Sequence, residues 1–127
     1  MTRKTLELAR PLAAAAAGAA ADKQGREIVV LDVGEVLAIT DLFVITSGAN
    51  VRQVRTIVEE IEKKVKEAGG PGPHRIEGLD DAGWVLMDYG DFVVHVFLDD
   101  VRRYYDLERL WADAPRTDWS DGAQAAG

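Results

Sequence analysis

The feature that most constrains the fold is the segment 84–98, which reads Trp-Val-Leu-Met-Asp-Tyr-Gly-Asp-Phe-Val-Val-His-Val-Phe-Leu and predicts a β-hairpin. Gly90-Asp91 is a two-residue turn signal between runs of β-branched and aromatic residues. A tight turn makes one face of the hairpin wholly apolar, as expected of a core, through the pairs Tyr89–Phe92, Met87–Val94 and Val85–Val96. The other face carries the pairs Asp88–Val93, Leu86–His95 and Trp84–Phe97. Because this second face mixes rings, a carboxylate and an imidazole, it suits a binding surface better than a core.

The size and charge of the chain limit the kinds of partner that it can have. At 127 residues it predicts one domain with a real hydrophobic core. The net charge of −7 makes a broad electrostatic grip on nucleic acid improbable and favours a partner with a basic surface. The absence of cysteine excludes disulfides and thiolate chemistry and is compatible with a cytoplasmic protein.

The N-terminal region, residues 1–25, contains an alanine-rich run from Ala13 to Ala21 that follows three basic side chains. A secretory signal has a similar order of charge and apolar residues. Glu7, Pro11 and the scarcity of leucine argue against that alternative, and no other stretch is apolar enough to span a bilayer. We therefore expect a helix over residues 5–23 that packs on the domain, with a kink or a late start at Pro11.

The remaining segments alternate between strand and helix patterns. A stripe of apolar residues predicts a helix that follows Asn50, with Asn50 and Gln53 as a capping box. Strands are predicted at 27–33, 41–47, 74–77 and in the hairpin, and a final helix at 101–112 with Asp99 or Asp100 as its cap. The predicted fold is a single α/β domain in which the helix of residues 1–25 packs on a mixed α/β core at 26–114. Its mixed sheet has about five strands flanked by helices, because the helix after Asn50 links two strands as a crossover. Residues 115–127 predict a disordered tail.

Motifs for catalysis, cofactors and metals are weak in this sequence. It contains no Walker A motif, no G-x-G-x-x-G after a strand and no Asp-x-Asp pair. Ser47-Gly48 before a helix is the nearest approach to a phosphate site, and a turn with a cap explains it as well. His95 and Asp88 supply only half of a metal site. We expect no catalytic residue, no metal and no cofactor.

Several motifs in one order carry a resemblance to a known family. They are Ile28–Val33; Thr40–Gly48 with Gln53; Glu77-Gly78 followed by Trp84–Asp91; and Val94–Phe97 leading to Arg103–Trp111. In these segments the chain resembles the ribosomal silencing factor family, also called Iojap-like, over roughly residues 6–113. Leu42 stands where the family commonly has an aromatic residue.

The resemblance implies a translation repressor without enzymatic activity. Such proteins bind the large ribosomal subunit through its fourteenth protein and block joining of the small subunit when nutrients are short. The implied fold is distantly like a minimal nucleotidyltransferase without its catalytic carboxylates, and members often form homodimers. It also implies a cytoplasmic protein with no membrane and no sequence-specific nucleic-acid partner.

The residues and the resemblance together indicate a partner-binding surface on the second face of the hairpin. The candidate contact residues are Trp84, Leu86, Asp88, Tyr89, Asp91, His95, Tyr105 and Asp41. Trp84 and Leu86 would anchor the contact, and the carboxylates would meet basic side chains. Two alternatives remain at this point: a nucleotidyltransferase-like nucleotide binder that uses Ser47, and a dimer that uses the same aromatic face.

Overall fold

A computed structural model describes residues 4–106, 109 and 111–119 of the chain. In that part the helices are α1 (Lys4–Asp22), α2 (Val51–Glu67) and α3 (Asp99–Tyr105). The strands are β1 (Arg26–Asp32), β2 (Leu42–Gly48), β3 (Arg75–Glu77), β4 (Trp84–Asp88), β5 (Phe92–Leu98) and β6 (Arg116–Thr117).

The strands form one mixed sheet in the order β3-β4-β5-β2-β1-β6. β2 and β5 are parallel, whereas the other neighbouring pairs are antiparallel. A parallel pair cannot be joined by a tight turn, and here α2 and the β3–β4 unit lie in the connection. The predicted α/β domain with a mixed sheet is confirmed, with six strands in place of about five.

The hairpin has the register that its sequence predicts. Trp84 pairs with Phe97, Leu86 with His95 and Asp88 with Val93, and the intervening pairs Val85–Val96 and Met87–Val94 lie on the opposite face. The N–H of Tyr89 donates to the carbonyl of Phe92 at 3.0 Å and closes the turn. Gly90 has a φ of +87°, a conformation that glycine adopts without steric cost.

The first face of the sheet packs against α1 and α2. On α1 the buried side chains are alanines, namely Ala9, Ala13, Ala16, Ala17, Ala19 and Ala20, which let the helix lie close to its neighbours. Pro11 lies inside this helix, which is continuous from Lys4. In α2 the carbonyl of Asn50's side chain accepts the N–H of Gln53 at 2.8 Å, as the capping box predicts. No helix in the described part of the chain is long and apolar enough to cross a membrane.

The second face of the sheet carries its own apolar cluster, covered by the chain that follows β5. Phe43, Ile45 and Phe97 belong to this cluster, and Trp111 packs against it, with its ring 6.0 Å from that of Phe43. The expected helix over 101–112 begins earlier, at Asp99, and is interrupted at Asp106, after which Arg109 is again helical. Leu98 is the N-cap, and α3 ends at Tyr105 because Asp106 turns to a left-handed conformation with φ +46°. Residues 107, 108 and 110 lie outside the described residues.

The segment that follows Ala114 differs from the expected disordered tail. Arg116–Thr117 forms β6, which pairs with Val30 and Leu31 of β1. Trp119 then packs against the core on the α1 side of the sheet. Disorder is therefore a wrong expectation for residues 116–119, and residues 120–127 lie outside the described residues.

Candidate functional site

Trp84 begins β4 on the second face of the sheet and is held by three aromatic neighbours. Its ring stacks on Phe97 with centroids 5.0 Å apart, and Tyr105 lies 5.0 Å away on α3. The indole N–H donates to Nδ1 of His95 at 3.1 Å. Trp84 is half-buried and Tyr105 is 50% exposed, so both rings present an edge or a face to solvent.

His95 lies beneath this aromatic group and is only 4% exposed. Its ring meets Phe43 edge-on at 4.6 Å, and burial lowers the pKa of His95 to about 4. The imidazole is therefore neutral near pH 7, with Nδ1 as the acceptor for Trp84. We expected His95 on the exposed surface, and the structure corrects this, because Trp84 and Phe43 close over it. It supports the surface from below.

Asp88 builds the hairpin turn and is paired. Its Oδ1 accepts the N–H of Gly90 at 2.8 Å, and its Oδ2 lies 3.7 Å from Nε of Arg75 on the edge strand β3. Arg75 also lies 3.6 Å from the carboxylate of Glu77. Asp88, which we expect to meet basic side chains of a partner, thus already has a basic neighbour in Arg75. Leu86, half-buried between Glu77 and His95 in the sheet, lies beside this charged edge.

Tyr89 and Asp41 are candidate contact residues, but both lie away from the exposed part of the second face. Tyr89 lies on the apolar face that the hairpin pairing assigns to the core. Tyr89 stacks on Phe92 in the core, with ring centroids 4.6 Å apart, and is 4% exposed. Burial, and then the charge of Glu62, raises the pKa of Tyr89 to about 12. Asp41 is 8% exposed, and its backbone N–H donates to the carbonyl of Asp91 at 2.9 Å. Asp91 itself is exposed at the tip of the hairpin.

Ser47, the nearest approach to a phosphate site in the sequence, is 1% exposed. Its Oγ accepts a hydrogen bond from Arg102 at 3.1 Å. Arg102 is 4% exposed and also donates to the carbonyls of Arg26 at 3.1 Å and Glu27 at 2.7 Å. This buried guanidinium attaches α3 to the sheet, and the burial of both side chains leaves a phosphate no access to the Ser47 hydroxyl.

Arg102, Arg75 and Glu77 have structural or surface importance that the sequence analysis did not assign to them. Arg102 is one of several arginines, and only the fold shows that it is buried. Arg75 and Glu77 reach the second face because β3 pairs with β4 in a register that places them beside Asp88 and Leu86. Among the described residues there is no group of three or more metal-ligating side chains. The arrangement is a packed aromatic group beside a charged sheet edge.

Comparison with known proteins identifies the family of the chain. The model of the family described as "Ribosomal silencing factor during starvation" matches residues 6–126. The chain belongs to the ribosomal silencing factor family. The predicted family is confirmed, and its members are regulatory proteins rather than enzymes.

Similar proteins cover most of the chain. The ribosomal silencing factor RsfS of Bacillus subtilis (strain 168) is 44% identical over 107 residues, which are 84% of this chain and 90% of that protein. A crystal structure of a protein from Chromobacterium violaceum is similar, with a TM-score of 0.75 and 37% identity, over 80% of this chain and 83% of the other. A crystal structure from Bacillus halodurans has a TM-score of 0.70 and 39% identity, over 82% of this chain and 93% of the other.

Proposed function

We propose that this protein represses translation by binding the large ribosomal subunit through the second face of its sheet. The contact is made by Trp84, Leu86, Asp88 and Tyr105, which we call the β4 surface. The partner is the fourteenth protein of the large subunit, on the side where the small subunit joins. The relatives' name, ribosomal silencing factor, supports a role in repression at the ribosome. The exposed aromatic rings of the β4 surface support its assignment as the contact site.

The observation that carries this proposal is the half-exposed Trp84 fixed between Phe97 and Tyr105. Tryptophan and tyrosine dominate the binding energy of many protein interfaces. Because the hydrogen bond to His95 and the two ring contacts already fix the indole, binding costs little additional side-chain entropy. A partner therefore meets a surface that is already in its bound shape.

The mechanism that follows is obstruction. A standard protein interface buries about 800 Å² on each partner, and we expect a contact of that size around β4. The bound 13.8 kDa protein then occupies space that the small subunit needs. Its net charge of −7 favours encounter with a basic protein surface and disfavours a grip on the phosphates of RNA.

Trp84→Ala tests the site. We expect this variant to bind purified large subunits at least about 30-fold more weakly, because a central aromatic anchor is worth about 2 kcal/mol or more. It should also lose the ability to prevent joining when small subunits are added. Co-sedimentation with large subunits and gradient profiles of joined ribosomes measure the two effects.

Trp119→Ala is the matched control, since it removes a partly buried tryptophan that packs on the opposite side of the sheet. We expect this control to bind normally. Circular dichroism must show that both variants are folded. Full binding by a folded Trp84→Ala protein would remove the β4 surface from the contact.

A further inference from the structure

The loop between β1 and β2, residues 33–41, is folded back on itself and fixed to the tip of the hairpin. The N–H of Val33 donates to the carbonyl of Asp41 at 2.9 Å, and the N–H of Leu37 donates to the carbonyl of Val33 at 2.7 Å. The N–H of Asp41 donates to the carbonyl of Asp91 at 2.9 Å. These bonds give the loop a defined shape, although it belongs to no helix or strand.

This ordered loop exposes two large apolar side chains. Val36 is 61% exposed and Ile39 is 83% exposed, whereas Leu37 between them packs against the cluster on the second face. Two neighbouring exposed apolar side chains on an ordered loop contribute almost nothing to the core of the monomer. Apolar groups grouped at a surface are typical of a contact site.

The charge around the loop indicates what kind of partner it fits. Between Glu27 and Val51 the sequence contains no Lys, Arg or His. Glu35 is exposed beside Val36, and the exposed Asp91 lies at the hairpin tip to which the loop is bonded. Arg116 of β6 lies opposite Leu31, just before the loop, but the chain as a whole carries a net charge of −7. An apolar pair beside Glu35 and Asp91 complements a surface that offers apolar pockets among basic side chains.

The loop continues the β4 surface along the sheet. β2 and β5 are parallel and in register, with Leu42 opposite Phe92, so the chain entering β2 lies beside the turn entering β5. The β4 surface runs from Trp84 to Asp88 toward this same end of the sheet. The side chain of Leu37 places the loop on the second-face side.

We propose that the loop 34–39 is a second anchor of the ribosome contact, in which Val36 and Ile39 enter apolar sites on the same basic partner protein. This inference rests on the proposed function. It divides the contact into an aromatic part at Trp84 and an aliphatic part at the other end of the sheet. Specificity then depends on the partner matching both parts at once.

The double variant Val36→Ser with Ile39→Ser tests this inference in the full-length protein. We expect it to bind purified large subunits about tenfold more weakly, since two exposed aliphatic side chains lose their burial on binding. Leu8→Ser is the matched control, because Leu8 is 68% exposed on α1, away from the second face. The control should bind like the wild type, and both variants should keep the wild-type melting temperature.

The outcomes separate this inference from the proposed function. If the wild type does not bind large subunits, both fall. If the wild type binds and Trp84→Ala does not, while the double variant binds fully, the proposed function stands and the loop anchor is wrong. If the double variant changes only the self-association of the protein, the loop contacts a second copy and the inference is overturned. If the double variant binds large subunits more weakly while Leu8→Ser binds like the wild type, the loop anchor is supported.

Discussion

His95 shows how one buried residue makes the stability of this protein depend on pH. Its pKa falls from 6.5 to about 4 in the folded protein because burial disfavours the charged imidazole. Between these two values the unfolded chain binds the proton and the folded chain does not. The contribution of His95 to the free energy of unfolding is therefore fully present above pH 6.5 and is lost as the pH falls toward 4. The shift corresponds to roughly 3 kcal/mol.

Denaturant unfolding of wild type and His95→Leu between pH 7 and pH 4 measures this effect. The His95→Leu variant keeps every other ionisable group of the wild type, so the difference between the two curves belongs to His95. We expect the wild type to lose roughly 3 kcal/mol more than the variant over this range. Parallel curves would contradict the burial of the imidazole.

For single residues, the sequence predicts which side chains share a face of the sheet but not how far each side chain is buried. The alternation in β4 and β5 correctly places Trp84, Leu86, Asp88 and His95 together. It cannot show that Phe43 and Trp84 close over His95, or that Arg75 reaches Asp88, because those neighbours come from distant segments. Burial depends on all the strands together.

Among the elements, the connection between β3 and β4 controls where Trp84 lies. Gly78 has a φ of +88°, and a Cβ on it would lie 2.1 Å from the carbonyl oxygen of Trp84. That contact is with backbone, so a side-chain rotation cannot relieve it. Gly78→Ala should therefore displace the start of β4 and cost about 2 kcal/mol or more in the free energy of unfolding.

Thermal and denaturant unfolding measure the cost, and co-sedimentation with large subunits shows whether the β4 surface is displaced as well. Gly72→Ala is the control, because a Cβ there meets nothing within 4 Å. It should change stability by less than about 0.5 kcal/mol. Equal stability of the two alanine variants would show that the connection tolerates a side chain.

Elements governed by local chemistry follow the sequence, and those governed by distant contacts do not. The capping of α2 by Asn50 and the tight turn at Gly90 are local, and both are predicted correctly. The apolar spacing after Val101 continues beyond Tyr105, but the helix stops there and Trp111 packs on Phe43. β6 has two residues, too few for a periodic pattern, and it exists because β1 offers an unpaired edge.

For the whole molecule, the net charge of −7 predicts how the proposed complex responds to salt. Attraction between an acidic protein and a basic surface accelerates association and is screened by ions. We expect the association rate with large subunits to fall about tenfold or more between about 50 mM and about 500 mM salt, with a smaller change in the dissociation rate.

Stopped-flow or surface-based kinetics at several salt concentrations give both rates. Trp84→Ala provides the contrast, because loss of an apolar anchor should mainly accelerate dissociation and leave the salt dependence unchanged. An association rate that is insensitive to salt would show that charge does not guide the encounter.

The margins of the sheet have a consequence for self-association. In the part of the chain that the structure describes, the edge strands are β3 with three residues and β6 with two, and both carry charged side chains. Such short borders give another chain few free amides and carbonyls to extend the sheet, which protects against fibrous aggregation. Dimers that form must therefore use the broad sides of the molecule, and a dimer that covers Trp84 would have to dissociate before that side could meet a ribosome.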